Sequence, residues 1–201
     1  MKLNQEPVKK PTRVSGRKRL LVAASELFAE CGVSEVTIAQ ILESSGVKAP
    51  TLYHHFGGKE GLYVAWAVLS LNSLKVEVAL IQGAQRPFRE YLEHFGKCLL
   101  DNKGIDLSQI MRDRNRLAHS DSADQIERAF EAAIINPFES VILAHSPSAD
   151  GRYAAQLFIH LITGTRGRYR LSGLNKQPCV EVLVSFFMNG LLHDAESPVR
   201  L

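Results

Sequence analysis

Cysteine is scarce in this chain, and the placement of the cysteines does not suggest a disulfide or a metal site. Cys31, Cys98 and Cys179 are three widely spaced residues with no CxxC pair. An odd, scattered set argues against both a disulfide framework and a structural zinc site, and it indicates a reducing compartment. The histidines also lack metal-ligand spacing, so we expect no metal site.

The chain also lacks the runs and motifs that mark other protein classes. No stretch of about 18 apolar residues occurs, and the basic N-terminus has no apolar stretch behind it, so we expect neither a membrane span nor a secretory signal. We find no GxSxG elbow, phosphate loop, GxGxxG or HExxH motif. The sequence therefore predicts a cytoplasmic protein that is not an enzyme and carries no cofactor.

The positive charge of the chain is concentrated at one end. Residues 1–19 contain seven lysines and arginines but a single acid, Glu6, whereas residues 61–201 contain 15 basic and 15 acidic residues. The net charge of +3 therefore arises within the first 60 residues. A basic end on a neutral body is typical of a nucleic-acid-binding protein, although many basic N-termini are only solubilising tails.

Apolar residues recur at helical spacing almost throughout, and no strand alternation is evident. We predict an all-α fold of about nine helices: three short to medium ones, a long connector from Lys59 to Ile81, and a larger bundle. The first helix is predicted over Gly16–Glu30 with Gly32 as its stop. Later helices are predicted at about 88–102, 107–118, 122–145, 150–171 and 177–193. The predicted divisions are a basic flexible arm over 1–15, an N-terminal helical domain over 16–62 and a larger C-terminal helical domain over 63–195.

Residues 37–62 carry the most specific pattern. A short helix after Thr37, a turn at Gly46-Val47 and a second short helix from about Lys48 to His55 predict a helix-turn-helix. Leu52 and its apolar neighbours supply an inward face, which leaves a polar face free for the major groove of DNA. Pro50 falls in the first turn, where its missing N–H is tolerated.

At these residues the chain strongly resembles the TetR family of transcriptional regulators. Its first helix fits the family pattern R-x-x-(I/L)-L-x-A-A-x-x-L-F from Arg17 to Phe28, and Gly32, Thr37, Ile41 and Gly46-Val47 follow in order. The stretch 51–62 fits T-L-Y-x-H-F-x-x-K-E-x-L. Lys48 departs from the serine that commonly caps the recognition helix, and such a lost cap costs about 1 kcal/mol.

The resemblance implies a role for each matching position in the DNA complex. Ala49, Pro50, Thr51 and His54 stand where the family touches base edges. Phosphate contacts are implied for another set, to which Lys48 is added as a basic residue at the start of the helix: Arg17, Thr37, Lys48, Tyr53, His55 and Lys59. The simpler alternatives are that Tyr53 and His55 only pack the turn and that His54 is inert.

In the C-terminal part the resemblance implies only an architecture for ligand binding and dimerisation. Apolar stripes on the last two predicted helices suggest a four-helix dimer contact, with Leu157, Leu161, Gly164, Leu183, Phe187 and Leu191 as its residues. Large apolar residues could line a ligand pocket, namely Trp66, Phe95, Cys98, Met111, Phe138 and Phe158. The alternative for both sets is ordinary intrachain core.

Together these patterns predict a homodimeric, ligand-responsive repressor that binds a palindromic operator in double-stranded DNA and responds to an unidentified small-molecule effector. Two other classes remain open. A helical enzyme with a degenerate helix-turn-helix requires a catalytic pair in residues 64–201, and none is evident. An adaptor that uses the basic end for protein contacts predicts no binding to DNA.

Overall fold

The computed structural model describes the backbone of residues 15–101, 105–172 and 180–193, and the side chains of these residues apart from 101, 165–172 and 191–193. Within these ranges the chain is helical and contains no strand, which confirms the predicted all-α class. The helices are α1 (Gly16–Glu35), α2 (Ile38–Ser45), α3 (Ala49–Phe56), α4 (Lys59–Gly83), α5 (Phe88–Asp101), α6 (Leu107–Arg114), α7 (Ser120–Phe130), α8 (Asn136–His145), α9 (Gly151–Ser172) and α10 (Val180–His193).

Local signals fix the ends of the two short helices near the N-terminus. Helix α2 ends at Gly46, whose backbone is left-handed (φ 60°, ψ 27°). Helix α3 has Pro50 in its first turn and ends at Gly57, which is also left-handed (φ 73°). Glycine adopts this conformation without the steric cost of a Cβ. Both turns therefore lie where the sequence predicted them.

Helix α1 is longer than predicted, although Gly32 does interrupt it. The backbone of Gly32 leaves the helix (φ 74°, ψ 176°) and the chain then completes a further short helical stretch to Glu35. A Cβ on Gly32 would lie 2.7 Å from Gln109 Nε2 and 3.0 Å from Asp113 Oδ2. Glycine is thus required here both by the backbone conformation and by the closeness of α6.

The helix predicted over 122–145 is a single rod with an irregular turn in its middle. Helices α7 and α8 are joined by a π-helical turn, Glu131–Ile135, in which the amide of Asn136 donates to the carbonyl of Glu131. Pro137 follows directly. Since proline has no N–H and clashes with the carbonyl four residues earlier, a wider turn accommodates it inside a continuous helix.

Helix α4 lies at the centre of the described fold. It packs against α1 and α3 near its start and against α5, α7 and the π-helical turn farther along. Rings of Phe28 on α1 and of Tyr63 and Trp66 on α4 form a cluster with centroids 5.0–5.6 Å apart. By length and hydropathy alone α4 is also long and apolar enough to cross a membrane, although its sequence contains no uninterrupted apolar run of about 18 residues. The buried face of α4 is that of a core helix.

The predicted domain boundary after residue 62 falls inside α4. The buried apolar cluster runs without a break from Leu20 in α1 to Phe187 in α10. Helix α4 contributes buried residues on both sides of the boundary, Leu62 and Leu74 among them. The division into arm, DNA-binding domain and C-terminal domain therefore stays a prediction.

We expect Gly32→Ala to lower the free energy of unfolding by about 1–3 kcal/mol, the cost of holding a non-glycine residue in a conformation reserved for glycine. Gly57→Ala is the comparison, because Gly57 has a similar φ of 73° but a ψ of −15°, in the left-handed region, and open space where a Cβ would stand, so we expect a smaller loss there. Urea denaturation compares the two variants. Equal losses would contradict a special requirement for glycine at position 32.

Candidate nucleic-acid interface

Helix α3 is fixed to the rest of the protein by its inward face. Leu52 is fully buried, and Val47 in the preceding turn is buried as well. Both belong to the apolar cluster that includes Ile41 of α2 and Ala24 and Phe28 of α1, with Phe56 packed at its edge. The sequence predicted Leu52 on this inward face, and the packing of this face determines which face of α3 points to solvent.

The outward face of α3 is polar and accessible. Lys48, Pro50, Tyr53, His54 and His55 are exposed, and the rings of the two histidines lie 5.0 Å apart in an edge-on arrangement. Lys48 stands at the N-cap without a side-chain hydrogen bond to the helix. Two histidines in the last turn add donors and acceptors to this surface.

Ala49 and Thr51, also predicted to read bases, are only half-exposed. A Cβ on Gly16 would stand 3.0 Å from the Thr51 methyl, so the start of α1 packs closely against the first turn of α3. The basic arm therefore joins the described fold directly beside this face.

Basic residues of α1 border α3 and its turn. The guanidinium of Arg17 lies 5.5 Å from the centroid of the Phe56 ring, a cation–π arrangement. Arg19 Nη1 donates to the carbonyl of Gly46 at 3.4 Å. Sequence reasoning did not single out Arg19, since nothing in the residue pattern distinguishes it from other basic residues of the first helix.

Thr37 and Gln40 form a capping box at the start of α2. The amide of Gln40 donates to Thr37 Oγ1 at 3.3 Å, and the amide of Thr37 donates to Gln40 Oε1 at 2.8 Å. A helix N-terminus with exposed capping groups is favourable for a phosphate oxygen. The sequence analysis did not identify Gln40 as a capping residue, although the T-x-x-Q spacing is a known signal for a capping box.

Lys59, which is predicted to contact a DNA phosphate, also has hydrogen-bond partners within the protein. Its ammonium donates to the carbonyls of Val33 and Val36, each at 2.8 Å. These carbonyls belong to the short junction 33–36 between the Gly32 kink and the cap of α2. Lys59 therefore ties the start of α4 to the helix-turn-helix, and its phosphate contact stays a prediction.

A second residue that the sequence did not reveal, Asp113 on α6, contacts the same junction. Its carboxylate is fully buried and accepts hydrogen bonds from Val33 N and Tyr63 Oη, both at 3.0 Å, and from Gln109 Nε2 at 2.8 Å. Burial and the neighbouring Asp113 charge raise the pKa of Tyr63 well above its ordinary value, so this hydroxyl stays a donor.

Glu60 makes a further tie, between α4 and the start of α7. Its carboxylate accepts from the amides of Ala118 and His119 and from His119 Nδ1, at 3.0–3.2 Å. Burial opposes ionisation of Glu60, but these donors, together with the side chain of Ser122, outweigh it and hold the pKa of the carboxyl below its usual value. A carboxylate at a helix N-terminus is stabilising there.

Most of the predicted pocket residues lie in packed core. Phe95, Phe138 and Phe158 are fully buried, with ring centroids 4.4–6.1 Å apart, and Trp66 belongs to the α1–α4 cluster. Cys98 is half-buried, with its thiol 3.5 Å from a Glu77 oxygen. These rings pack directly against one another, and the role of the predicted residues in a pocket stays a prediction.

Cavity space is found instead between α6, α7 and α9. Two neighbouring cavities of about 290 and 350 Å³ share five lining residues, Met111, Asn115, Phe130, Ile159 and His160. Of the six residues predicted for a pocket, Met111 is the one that lines these cavities. Ion pairs of Arg114 with Glu127 and of Arg152 with Glu131 lie at their edge.

The predicted dimer residues divide between core and surface. Leu157 is half-exposed, Gly164 faces open space, and Leu161 and Leu183 are half-buried. Phe187 is buried and contacts Phe158 edge-on at 4.9 Å, so it packs in the core of its own chain, and its role in a dimer stays a prediction. Leu191 lies outside the residues whose side chains are described.

Known proteins match this arrangement in both sequence and fold. The family model for bacterial regulatory proteins of the tetR family matches residues 20–66, which is α1 through the start of α4. The HTH-type transcriptional activator FasR of Mycolicibacterium smegmatis is 26% identical over 193 residues, covering 88% of this chain and 83% of FasR. The HTH-type transcriptional repressor AcnR of Corynebacterium glutamicum is 38% identical over 58 residues, which is 29% of this chain and 30% of AcnR.

The fold extends this likeness beyond the helix-turn-helix. The crystal structure of a TetR transcriptional regulator from Legionella pneumophila superposes with a TM-score of 0.73 at 19% identity, covering 90% of this chain and 100% of that one. Similarity in sequence is therefore strongest in the N-terminal helices, whereas similarity in architecture covers most of the chain.

We expect Thr37→Ala to lower the free energy of unfolding by about 1 kcal/mol, because the substitution removes the hydroxyl that caps α2. Thr37→Ser keeps that hydroxyl and serves as the control. Urea denaturation followed by circular dichroism measures both. An unchanged midpoint in Thr37→Ala would mean that the capping box contributes no stability.

Proposed function

Because this chain belongs to the TetR family of transcriptional regulators, we propose that it is a homodimer that binds a palindromic operator through α3 and releases it when a small molecule enters the C-terminal helices. The chain is a DNA-binding regulator by its family. The palindrome, the dimer, the effector and repression rather than activation are parts of the proposal, as are a cytoplasmic location and the absence of enzymatic activity.

One observation carries the proposal: α3 presents an exposed polar face while a fully buried Leu52 holds its opposite face. A helix can read a major groove only if its outward side chains are free and its orientation is fixed. The basic residues Arg17 and Arg19 border the same surface and supply charge for the DNA backbone.

We assign base contacts to Ala49, Pro50, Thr51 and His54, in the first turn and at the outward end of α3. Their methyl and methylene groups suit a thymine methyl, and the His54 ring suits a purine edge. Phosphate contacts are assigned to Arg17, Thr37, Lys48, Tyr53, His55 and Lys59. Phosphate contacts fix the register of the protein without reading sequence.

Exposed apolar side chains on α9 and α10 support the dimer. Tyr153 and Leu157 on α9 and Val182 and Phe186 on α10 are each at least half-exposed, and Phe186 reaches 69%. On α10 the accessible face therefore carries Val182 and Phe186, whereas Phe187 faces the core. A twofold dimer gives each recognition helix its own half-site.

The cavities between α6, α7 and α9 support an effector site. They are walled by apolar residues such as Met111 and Phe130 and by polar groups such as Asn115 and His160. A small number of polar groups on an apolar wall is typical of a small-molecule site. An effector dissociates the complex only if it binds better to a form that fits the operator poorly.

Selection of bound sequences from random double-stranded DNA tests the proposal directly. We expect an enriched palindrome with half-sites about one helical turn apart, since two recognition helices enter successive major grooves. Enrichment of a single half-site would contradict the dimer on DNA. Failure to retain any duplex at low ionic strength would contradict the proposed function and favour an adaptor that contacts proteins.

We expect His54→Ala to reduce the preference for the selected operator, because it removes a base contact, with a cost of about 1–3 kcal/mol at the base pair concerned. Binding to random DNA should change little. Lys48→Ala is the comparison: it should weaken binding to every sequence and reduce the slope of log K against log salt by about 0.9 for each phosphate that is no longer neutralised. Fluorescence anisotropy at several salt concentrations separates the two effects. The same sequence preference in both variants would refute this division of roles.

We expect Leu157→Glu and Phe186→Glu to convert the dimer to a monomer, because each places a charge in an apolar interface. Leu80→Glu is the matched control, since Leu80 on α4 is 71% exposed and lies outside the proposed interface. Sedimentation velocity measures the assembly state. A dimer that survives both substitutions, or one that Leu80→Glu also dissociates, would move the interface away from α9 and α10.

A further inference from the structure

Asp113 is unusual because it is a charged side chain held with no solvent exposure. A buried carboxylate is costly unless donors satisfy it. Val33 N and Tyr63 Oη both donate to Oδ2, and Gln109 Nε2 donates to Oδ1. These donors come from α1, α4 and α6, so a single carboxylate ties three helices together.

The donor on α1 lies where the orientation of the helix-turn-helix is set. The Gly32 kink turns the backbone so that the Val33 amide meets Asp113 at 3.0 Å. The carbonyls of Val33 and Val36 are held by Lys59 at 2.8 Å, and Thr37, the cap of α2, follows directly. The junction 33–36 is thus held by α6 through Asp113 and by α4 through Lys59.

The same helix α6 forms a wall of the cavities. Leu107, Met111 and Asn115 line them, whereas Asp113 lies buried toward α1 and α4. The wall across from α6 is formed by α9, including Thr163. A group that enters between α6 and α9 therefore acts on the helix that holds the junction.

We infer that Asp113 is the positioning residue through which occupation of the α6–α9 cavity changes the orientation of the helix-turn-helix. This inference rests on the proposed function. A group that pushes α6 away from α9 displaces the Asp113 carboxylate relative to α1 and α4, and a shift of about 1 Å takes a 3.0 Å hydrogen bond out of its normal range. The Val33 amide must then follow Asp113 or lose its partner, and in both cases the junction before α2 moves.

The Glu60 carboxylate provides a second tie from the cavity helices to the start of α4. It accepts from the amides of Ala118 and His119 just before α7, and α7 supplies Glu127 and Phe130 to the cavity lining. Lys59, Glu60 and Tyr63 thus connect the first turns of α4 to α1, α7 and α6 respectively. Asp113 differs from Glu60 because Asp113 accepts a hydrogen bond directly from the junction 33–36, at the amide of Val33.

Asp113→Asn tests the inference with a minimal change. The amide keeps the size of the side chain but removes the charge and replaces one of its two acceptor oxygens with an N–H₂ donor, so the three donors on Oδ1 and Oδ2 can no longer all be satisfied. Asp106→Asn is the matched control: it removes one charge from the cap of the same helix, where asparagine caps as well as aspartate, and the Asp106 side chain accepts from Gln109 N.

Four measurements on the full-length chain with the selected operator test this: thermal stability, operator affinity, affinity for operators whose half-sites are one base pair closer or farther, and hydrogen exchange of the Val33 amide. We expect Asp113→Asn to lower operator affinity by about tenfold or more, as weakened hydrogen bonds to a buried carboxylate allow, and to blur the preference for half-site spacing. Asp106→Asn should change neither. Hydrogen exchange should show faster exchange of the Val33 amide in Asp113→Asn alone.

Thr163→Trp serves as a built-in surrogate for an occupied cavity, because it adds bulk from α9 toward α6. We expect Thr163→Trp to lower operator affinity in the parent chain and in Asp106→Asn. In Asp113→Asn the same substitution should lower operator affinity by less than about a further threefold, because the effects of coupled residues are not additive. Tyr63→Phe, which removes one donor and keeps the ring, should give an intermediate result and serves as the test if Asp113→Asn fails to fold.

The inference is overturned if Asp113→Asn, or Tyr63→Phe in its place, folds, binds with parental affinity and spacing preference, and responds fully to Thr163→Trp. A loss of thermal stability with unchanged affinity in the folded fraction also overturns it, since that is a structural role only. If the parent chain itself binds no duplex, the proposed function fails first. Hydrogen exchange of the Val33 amide in Thr163→Trp then still reports whether a displacement of α6 changes the junction 33–36.

Discussion

The packing of α4 on α1 is the contact on which the remainder of the structure depends. Phe28 meets Tyr63 and Trp66 in a cluster of rings, and the face of α4 below them is buried along most of its length. Burial of aromatic side chains contributes large apolar areas and defined ring geometries. Because α3 is placed by its packing on α1 and α4, the direction of its outward face follows from this contact.

Directional polar contacts add to this apolar packing at the start of α4. At the start of α4, Lys59 holds two carbonyls of the junction 33–36, Glu60 holds the start of α7, and Tyr63 donates to Asp113. Hydrogen bonds to charged groups are directional and short-range. These contacts at one end of α4 therefore respond to small displacements of the helices that they join.

The sequence predicted the helix-turn-helix well because its signals are local. Thr37, Gly46, Pro50 and Gly57 each mark an end or a start within a few residues of the feature that they control. Leu52 was predicted to be buried from helical spacing alone. On the C-terminal helices the same reasoning was weaker. The stretch around Phe186 and Phe187 is apolar on adjacent positions, so spacing could not decide which ring faces the core.

Long-range features had no signal in the pattern. Asp113 stands between two arginines in a polar stretch of α6, which is typical of an exposed helix face, and its partner Val33 is 80 residues away in the chain. Nor could apolar composition separate the filled stack of Phe95, Phe138 and Phe158 from a ligand cavity. Whether large side chains leave space depends on the crossing of their helices, which single-sequence periodicity does not specify.

The π-helical turn before Pro137 has a geometric consequence for the two sides of the rod that contains it. One additional residue in a helix rotates everything after it by about 100°, the angle between successive residues at about 3.6 per turn. Before the turn, Phe130 faces the cavity; after it, Phe138 meets Phe95 and Phe158 in the core. A uniform α-helix of the same sequence would hold these rings at a different relative azimuth. The π-helical turn thus allows one continuous helix to line the cavity with its first part and to pack in the core with its second part.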